Sequence, residues 1–124
     1  MSNFLIKKED KFTLISVAVN KLDSGVSPDL KSELVLINNE GEKNVIIDLS
    51  LCKYCDSSGL SAVLIGRRLC TNVQGSFILC GLQESVSKLI AISQLDTVLS
   101  ITPTLDEAIQ LLHMEEVERD IEKE

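Results

Sequence analysis

Apolar positions follow two patterns along this chain: short continuous or alternating runs typical of strands, and wider-spaced stripes typical of helices. Segments 4–8 and 12–19 predict an antiparallel hairpin, because two polar residues, Glu9 and Asp10, interrupt the strand pattern between them. Further short apolar runs predict strands over 45–49, 76–80 and 98–101. Helical spacing predicts helices over 27–38, 59–72, 84–93 and 104–112.

Two of the predicted helices begin with capping signals. Ser27 offers a capping hydroxyl, Pro28 suits the first helical position, and Asp29 places an acid in the first turn. Thr104 and Glu107 are three residues apart, which is the spacing of a capping box.

The predicted order is a hairpin followed by alternating helices and strands, which indicates an α/β fold with parallel later strands. We expect a mixed sheet of about four to five strands packed with about four helices. The 124 residues suit one domain, placed at 1–114. Six of the nineteen acids lie in residues 115–124, which are predicted to form an acidic helical extension or tail.

The predicted helix over 59–72 has one face of small residues. On a wheel of about 100° per residue, five side chains fall together: Gly59, Ala62, Val63, Gly66 and Cys70. Small residues allow a helix backbone to lie close to a sheet, and this explains glycines that would otherwise weaken the helix.

Larger apolar side chains flank that face, Leu60 and Leu64 among them. An apolar arc of this width exceeds what one contact with a sheet requires. Either neighbouring helices cover both flanks, or Leu60 and Leu64 stay partly exposed and contact a partner protein.

The helix is preceded by Asp56-Ser57-Ser58, at the turn that follows the buried strand 45–49. A serine at a helix start lies near unpaired backbone N–H groups and the positive end of the helix dipole. A phosphate there would be tolerated by the helix and would place close to two negative charges on an exposed rim. The position is therefore suited to regulation by phosphorylation.

These elements together resemble the STAS domains, specifically the bacterial anti-sigma factor antagonists. The resemblance extends from Phe12 to about Leu112 and depends mainly on three segments: Val45-Ile46-Ile47-Asp48-Leu49, Asp56-Ser57-Ser58-Gly59-Leu60 and Leu64-Ile65-Gly66-Arg67. The chain departs from the family at Gln94, where members commonly have glycine, and in the acidic extension after His113.

The resemblance implies a function. In that family an unphosphorylated antagonist binds an anti-sigma factor, often a GHKL-type serine kinase, and thereby frees the sigma factor. The kinase inactivates the antagonist by phosphorylating the serine after the motif aspartate, which would be Ser57, and a PP2C-like phosphatase restores it. The implied partner-binding residues are Asp23, Asp56, Ser57, Ser58, Gly59, Leu60 and Leu64. A second hypothesis is a constitutive STAS subunit of a transport or signalling complex, in which Ser57 is never modified.

Composition argues against several other classes of protein. The net charge of −7 opposes binding to nucleic acid or to anionic membrane surfaces, and an aromatic content of 3% offers no platform for stacking bases. No segment has the pattern of a signal peptide and no apolar run approaches 18 residues, so we expect a cytoplasmic protein without membrane insertion.

Catalytic, metal and cofactor sites are not expected. Cys52 and Cys55 have the spacing of a redox or metal pair, but a second ligand pair is missing, and structural thiols are favoured over a thiol oxidoreductase. Asp48 and Asp56 could form a paired-carboxylate or magnesium site, but structural and capping roles are favoured. The only histidine, His113, lies too far along the chain to suggest a base for Ser57.

Overall fold

The structure is a computed structural model that describes residues 2–123. Met1 and Glu124, the outer ends of the two predicted ranges, lie outside the described residues. Seven strands are formed: β1 Phe4–Lys8, β2 Thr13–Val17, β3 Lys21–Leu22, β4 Val45–Asp48, β5 Tyr54–Cys55, β6 Phe77–Cys80 and β7 Ser100–Thr102. Four α-helices accompany them: α1 Ser27–Asn39, α2 Ser57–Asn72, α3 Glu84–Ile92 and α4 Leu105–Glu122. A short 3-10 turn, Leu95–Thr97, precedes the last strand.

Five strands form one mixed sheet in the order β1-β2-β4-β6-β7. The β1–β2 hairpin is antiparallel and every other pair in this sheet is parallel. The two central strands β4 and β6 are buried almost throughout, as parallel strands with both faces covered must be. The predicted hairpin and α/β fold class are therefore confirmed.

Helices cover both faces of this sheet. Alternate side chains of the central strands, such as Ile47 and Leu79, join the core formed with α1, α2 and α3. Their neighbours Ile46 and Ile78 pack instead with Ala108 of α4 on the opposite face. α4 therefore lies alone on one side of the sheet.

The small face of α2 lies against the sheet as predicted. All five of its residues are buried. At Gly66 an added Cβ would lie 2.5 Å from Cε1 of Phe77 and 3.1 Å from Cδ1 of Leu34, so a larger residue would push the helix off both neighbours.

A two-stranded parallel ribbon of β3 and β5 lies outside the main sheet and was not predicted. It pairs Lys21 with Tyr54 and Leu22 with Cys55. The ribbon matters for the site because β5 leads directly into the residue before α2.

The prediction that Ser27 caps α1 is wrong. Val26 occupies the cap position, and Ser27 lies inside the first turn with its side chain buried. Its backbone N–H donates to the carbonyl of Asp23 at 2.8 Å. The predicted cap of α4 is confirmed, since the Thr104 hydroxyl accepts the N–H of Glu107 at 3.2 Å.

α4 continues through the acidic segment, and polar contacts hold it to the sheet. Ser76 donates to Oε1 of Glu115 at 2.5 Å, and Nη1 of Arg119 donates to Ser76 at 3.0 Å. Asn44 donates to Oε2 of Glu116 at 3.2 Å. These contacts turn part of the acidic segment towards the protein body.

Candidate functional site

The side chain of Asp56 caps the first turn of α2. Its Oδ1 accepts the backbone N–H groups of Ser58 at 2.9 Å and Gly59 at 3.2 Å. The helix therefore begins at Ser57, two residues earlier than the spacing of apolar residues predicted. The hydrogen bond from the Ser58 hydroxyl, followed by those two backbone groups, lowers the pKa of Asp56 below its ordinary value.

The two serines of the motif have opposite environments. Ser57 is exposed, and its hydroxyl makes no hydrogen bond to any described residue. Ser58 is half-buried, and its hydroxyl donates to Oδ1 of Asp56 at 2.5 Å. Because that proton is already used, the 3.2 Å contact between Ser58 Oγ and Ser27 Oγ requires Ser27 to be the donor. Ser58 is structural, whereas Ser57 is free to react.

Gly59 is required because the start of α2 lies too close to its neighbours to leave room for a side chain. A Cβ at this position would lie 2.5 Å from Sγ of Cys55 and 2.6 Å from the carbonyl oxygen of Leu22. The start of α2 is thus pressed against the β3–β5 ribbon, which fixes the position of Ser57 relative to the sheet.

The loop before α1 lies next to this turn. The N–H of Asp56 donates to the carbonyl of Leu22 at 3.3 Å, and Asp23 follows directly in the chain. Asp23 is half-buried, and its Oδ1 accepts the N–H of Gly25 at 3.0 Å. The structure therefore brings the loop of Asp23 beside Asp56, although the two are 33 positions apart in the sequence.

Of the two alternatives for Leu60, which is also one of the implied partner-binding residues, the structure has the covered one and not the partly exposed one. Its side chain is only 7% exposed and belongs to the main core. Leu64 is half-buried and packs against the same core. Of these two residues, only Leu64 retains accessible surface.

Two exposed apolar side chains beside the motif were missed by the sequence analysis. Leu51 is 60% exposed and Tyr54 is 48% exposed. Their loop is hydrogen-bonded to the start of α3. Gln83 donates to the carbonyl of Ser50 at 2.6 Å, and the Ser85 hydroxyl donates to the carbonyl of Lys53. No local pattern in the sequence separates these two residues from Cys52 and Cys55, which lie in the same segment and are buried.

The arrangement is poorly suited to nucleophilic catalysis at Ser57. Asp56 is a weak base, because its carboxylate has a lowered pKa and already accepts three hydrogen bonds. His113 lies on α4, across the sheet from α2. Asp48 uses its Oδ1 to accept the N–H of Ser50 at 2.9 Å, which is a structural role.

The four cysteines are buried free thiols. Burial raises the pKa of Cys52, and it raises the pKa of Cys55 to about 12, aided by the nearby Cys52 and Asp56. A redox-active pair needs a thiolate at neutral pH, so these two residues fit packing better than thiol chemistry. Within residues 2–123, no group of three or more His, Cys, Asp or Glu side chains could hold a metal ion.

Within the same range, none of the helices combines the length and apolar character needed to span a bilayer.

Comparison with known proteins identifies one family for this chain. The model of the STAS domain matches residues 4–108. BtrV of Bordetella bronchiseptica, a candidate anti-sigma factor antagonist, is 32% identical over 80 residues, which cover 64% of this chain and 69% of BtrV.

Two solved structures show the same fold. A candidate anti-sigma factor antagonist from Thermotoga maritima superimposes with a TM-score of 0.80 at 22% identity, covering 89% of this chain and 94% of that one. The Bacillus cell fate determinant SpoIIAA in its phosphorylated form gives a TM-score of 0.68 at 22% identity, covering 86% and 96%. The chain belongs to the STAS domain family.

Proposed function

We propose that this protein is an anti-sigma factor antagonist that binds an anti-sigma factor in its unphosphorylated form and loses that binding when Ser57 is phosphorylated. The names of BtrV and of the Thermotoga protein support the first part. The existence of a phosphorylated form of SpoIIAA, which shares this fold, supports the second.

The observation that carries the proposal is the difference between the two serines. The Ser57 hydroxyl is exposed and unbonded among the described residues, so a kinase can reach it without disturbing the helix. Modification of Ser58 would break its hydrogen bonds to Asp56 and Ser27 and remove support from the cap. Ser57 is thus the phosphoacceptor that the fold can tolerate.

Electrostatics gives the direction of the effect. A phosphate on Ser57 adds about −1.5 to −2 charges next to the Asp56 carboxylate. The N–H groups of Ser58 and Gly59 already donate to the Asp56 carboxylate, so those donors do not neutralise the phosphate. In a desolvated interface the paired negative charges oppose association, whereas in free protein they face water.

The contact surface includes the half-buried Asp23 and Leu64, the turn from Asp56 to Ser58, and the exposed Leu51 and Tyr54. The partner is an anti-sigma factor that is also a GHKL-type serine kinase, and a PP2C-like phosphatase reverses the modification. These partners place the protein in the cytoplasm, and the protein itself acts by binding and not by catalysis.

Co-purification with candidate kinases from the source organism tests the proposal. Ser57→Ala should bind like unmodified protein, and Ser57→Asp should bind at least tenfold more weakly. Thr71→Asp is the matched control, because it adds the same charge about 21 Å away at the other end of α2. Equal binding of Ser57→Asp and Ser57→Ala would overturn the phosphorylation mechanism.

A further inference from the structure

We infer that the outward face of α4 is a second docking surface, which binds a basic amphipathic helix of another protein. The surface consists of Met114, Val117 and Ile121, called here the α4 stripe. Their side chains are 61%, 57% and 63% exposed, and they lie within an arc of about 60° on the helix. Three large apolar side chains in one exposed row exceed the scattered single residues that are ordinary on protein surfaces.

The α4 stripe is held in place and presented outward. The opposite side of the helix buries Ala108 and Leu112 against the sheet. Beyond Leu112, the contacts of Glu115 and Arg119 with Ser76 continue this attachment. The helix therefore keeps its orientation past the core, and the stripe cannot turn inward.

The surface also has a shallow depression. It measures about 270 Å³ and is lined by His113, Met114, Val117 and Glu118. A depression with apolar walls can receive one side chain of an incoming helix, as in other helix-in-groove contacts.

Charge identifies the class of partner. Glu118 and Glu122 flank the α4 stripe on one side and Asp120 on the other, as the helical wheel places them. The two cations of this segment do not border the stripe. Arg119 donates to Ser76, and Lys123, directly after the last residue of α4, is about 160° from Ile121 on the wheel. An apolar row between acids complements a helix with an apolar face bordered by lysine or arginine.

A second copy of this chain fits the surface poorly. Each copy carries a net charge of −7, and a symmetric contact through the α4 stripe would bring the same acids together. The surface lies on the face of the sheet opposite α2, so this inference does not depend on the modification of Ser57.

Fluorescence anisotropy with the full chain tests the inference. The probe is a labelled synthetic helix of about five turns with leucine on one face and lysine on its flanks, and its counterpart has glutamate in place of lysine. The lysine peptide should bind about tenfold or more tightly than the glutamate peptide, and its binding should weaken with salt.

The variant Val117→Ser/Ile121→Ser should weaken binding of the lysine peptide by about tenfold or more. Val35→Ser/Leu36→Ser is the matched control, since these α1 residues are exposed apolar side chains outside the stripe. It should stay within about twofold of wild type, as should Ser57→Ala. Circular dichroism confirms that each variant is folded.

Four results would overturn the inference: no binding, equal affinity for both peptides, an unchanged affinity in the stripe variant, or a dimer in light scattering that the stripe variant dissolves.

Discussion

The Ser58 hydroxyl donates to Oδ1 of Asp56 at 2.5 Å, and the same oxygen accepts the backbone N–H groups of Ser58 and Gly59. One carboxylate oxygen therefore organises the first turn of α2. This leaves Ser57 as the residue of the motif whose side chain has no structural role among the described contacts. Separation of the two serines into a structural residue and a reactive residue follows from that arrangement.

Removal of the Asp56 cap should weaken the fold. We expect the midpoint of urea unfolding at pH 7 to fall from wild type to Asp56→Asn and further to Asp56→Ala, because asparagine keeps an acceptor but loses the charge.

The same comparison has a predicted pH dependence. Folding lowers the pKa of Asp56 below its ordinary value of 3.8, so its stabilising effect is complete above that value and is lost as pH falls through the folded pKa. The urea curves of wild type and Asp56→Asn should converge in acid. A difference between them that does not shrink at low pH would contradict this account of the cap.

Gly59→Ala should destabilise the protein by about 1–3 kcal/mol, because the added methyl group would overlap Sγ of Cys55 and the carbonyl of Leu22. Gly25→Ala is the matched control, since its Cβ would meet only Oδ1 of Asp23 at an ordinary 3.4 Å. Chemical denaturation measures both. Similar free energies of unfolding for the two variants would mean that α2 does not press on the β3–β5 ribbon.

Gln94→Gly should stabilise the protein by about 0.5–1 kcal/mol. Gln94 has φ of +60°, in the left-handed region where a side chain is unfavourable and glycine is not. Ser93→Gly is the control, because Ser93 has φ of −79° and gains nothing from glycine. Thermal unfolding of the two variants should therefore shift in opposite directions, and a loss of stability in Gln94→Gly would count against this explanation.

The cysteines should react slowly with a thiol reagent in the folded protein at pH 8. Burial raises the pKa of Cys55, Cys70 and Cys80 to about 12 each, so the thiolate is scarce. Unfolding in urea should make all four thiols react quickly. A fast-reacting native thiol at Cys52 or Cys55 would revive the thiol oxidoreductase hypothesis.

The sequence predicted the main sheet and its helices because their apolar patterns are local. The capping role of Asp56 was also expected from the sequence, because aspartate is a residue type that commonly caps helices. The β3–β5 ribbon was missed because each strand has two residues and depends on pairing between distant segments. Ser27 has the residue type of a cap, yet its burial against Ser58 by the packing of α1 on α2 overrides that preference.

Tertiary packing also decides two points on which the sequence left alternatives open. Leu60 is buried in the main core, an alternative that the width of the apolar arc had left open. Residues 115–124 were predicted to be a helical extension or a tail. In the structure α4 continues to Glu122, and Glu115, Glu116 and Arg119 contact the sheet edge. Such contacts join residues far apart in the chain, which a helical pattern does not reveal.

Phosphorylation at Ser57 should change association and leave folding intact. Since Ser57 is exposed, Ser57→Asp and Ser57→Ala should each change the free energy of unfolding by no more than about 0.5 kcal/mol. Urea denaturation measures this beside the binding experiment. A large loss of stability in Ser57→Asp would mean that reduced binding reports unfolding.

Site mapping by mass spectrometry on protein isolated from its native cells tests the central claim most directly. We predict a single phosphate, located on Ser57 and absent from the Ser57→Ala variant under the same growth conditions. Phosphate on Ser58, or none under any condition, would contradict the account and favour a constitutive interaction module.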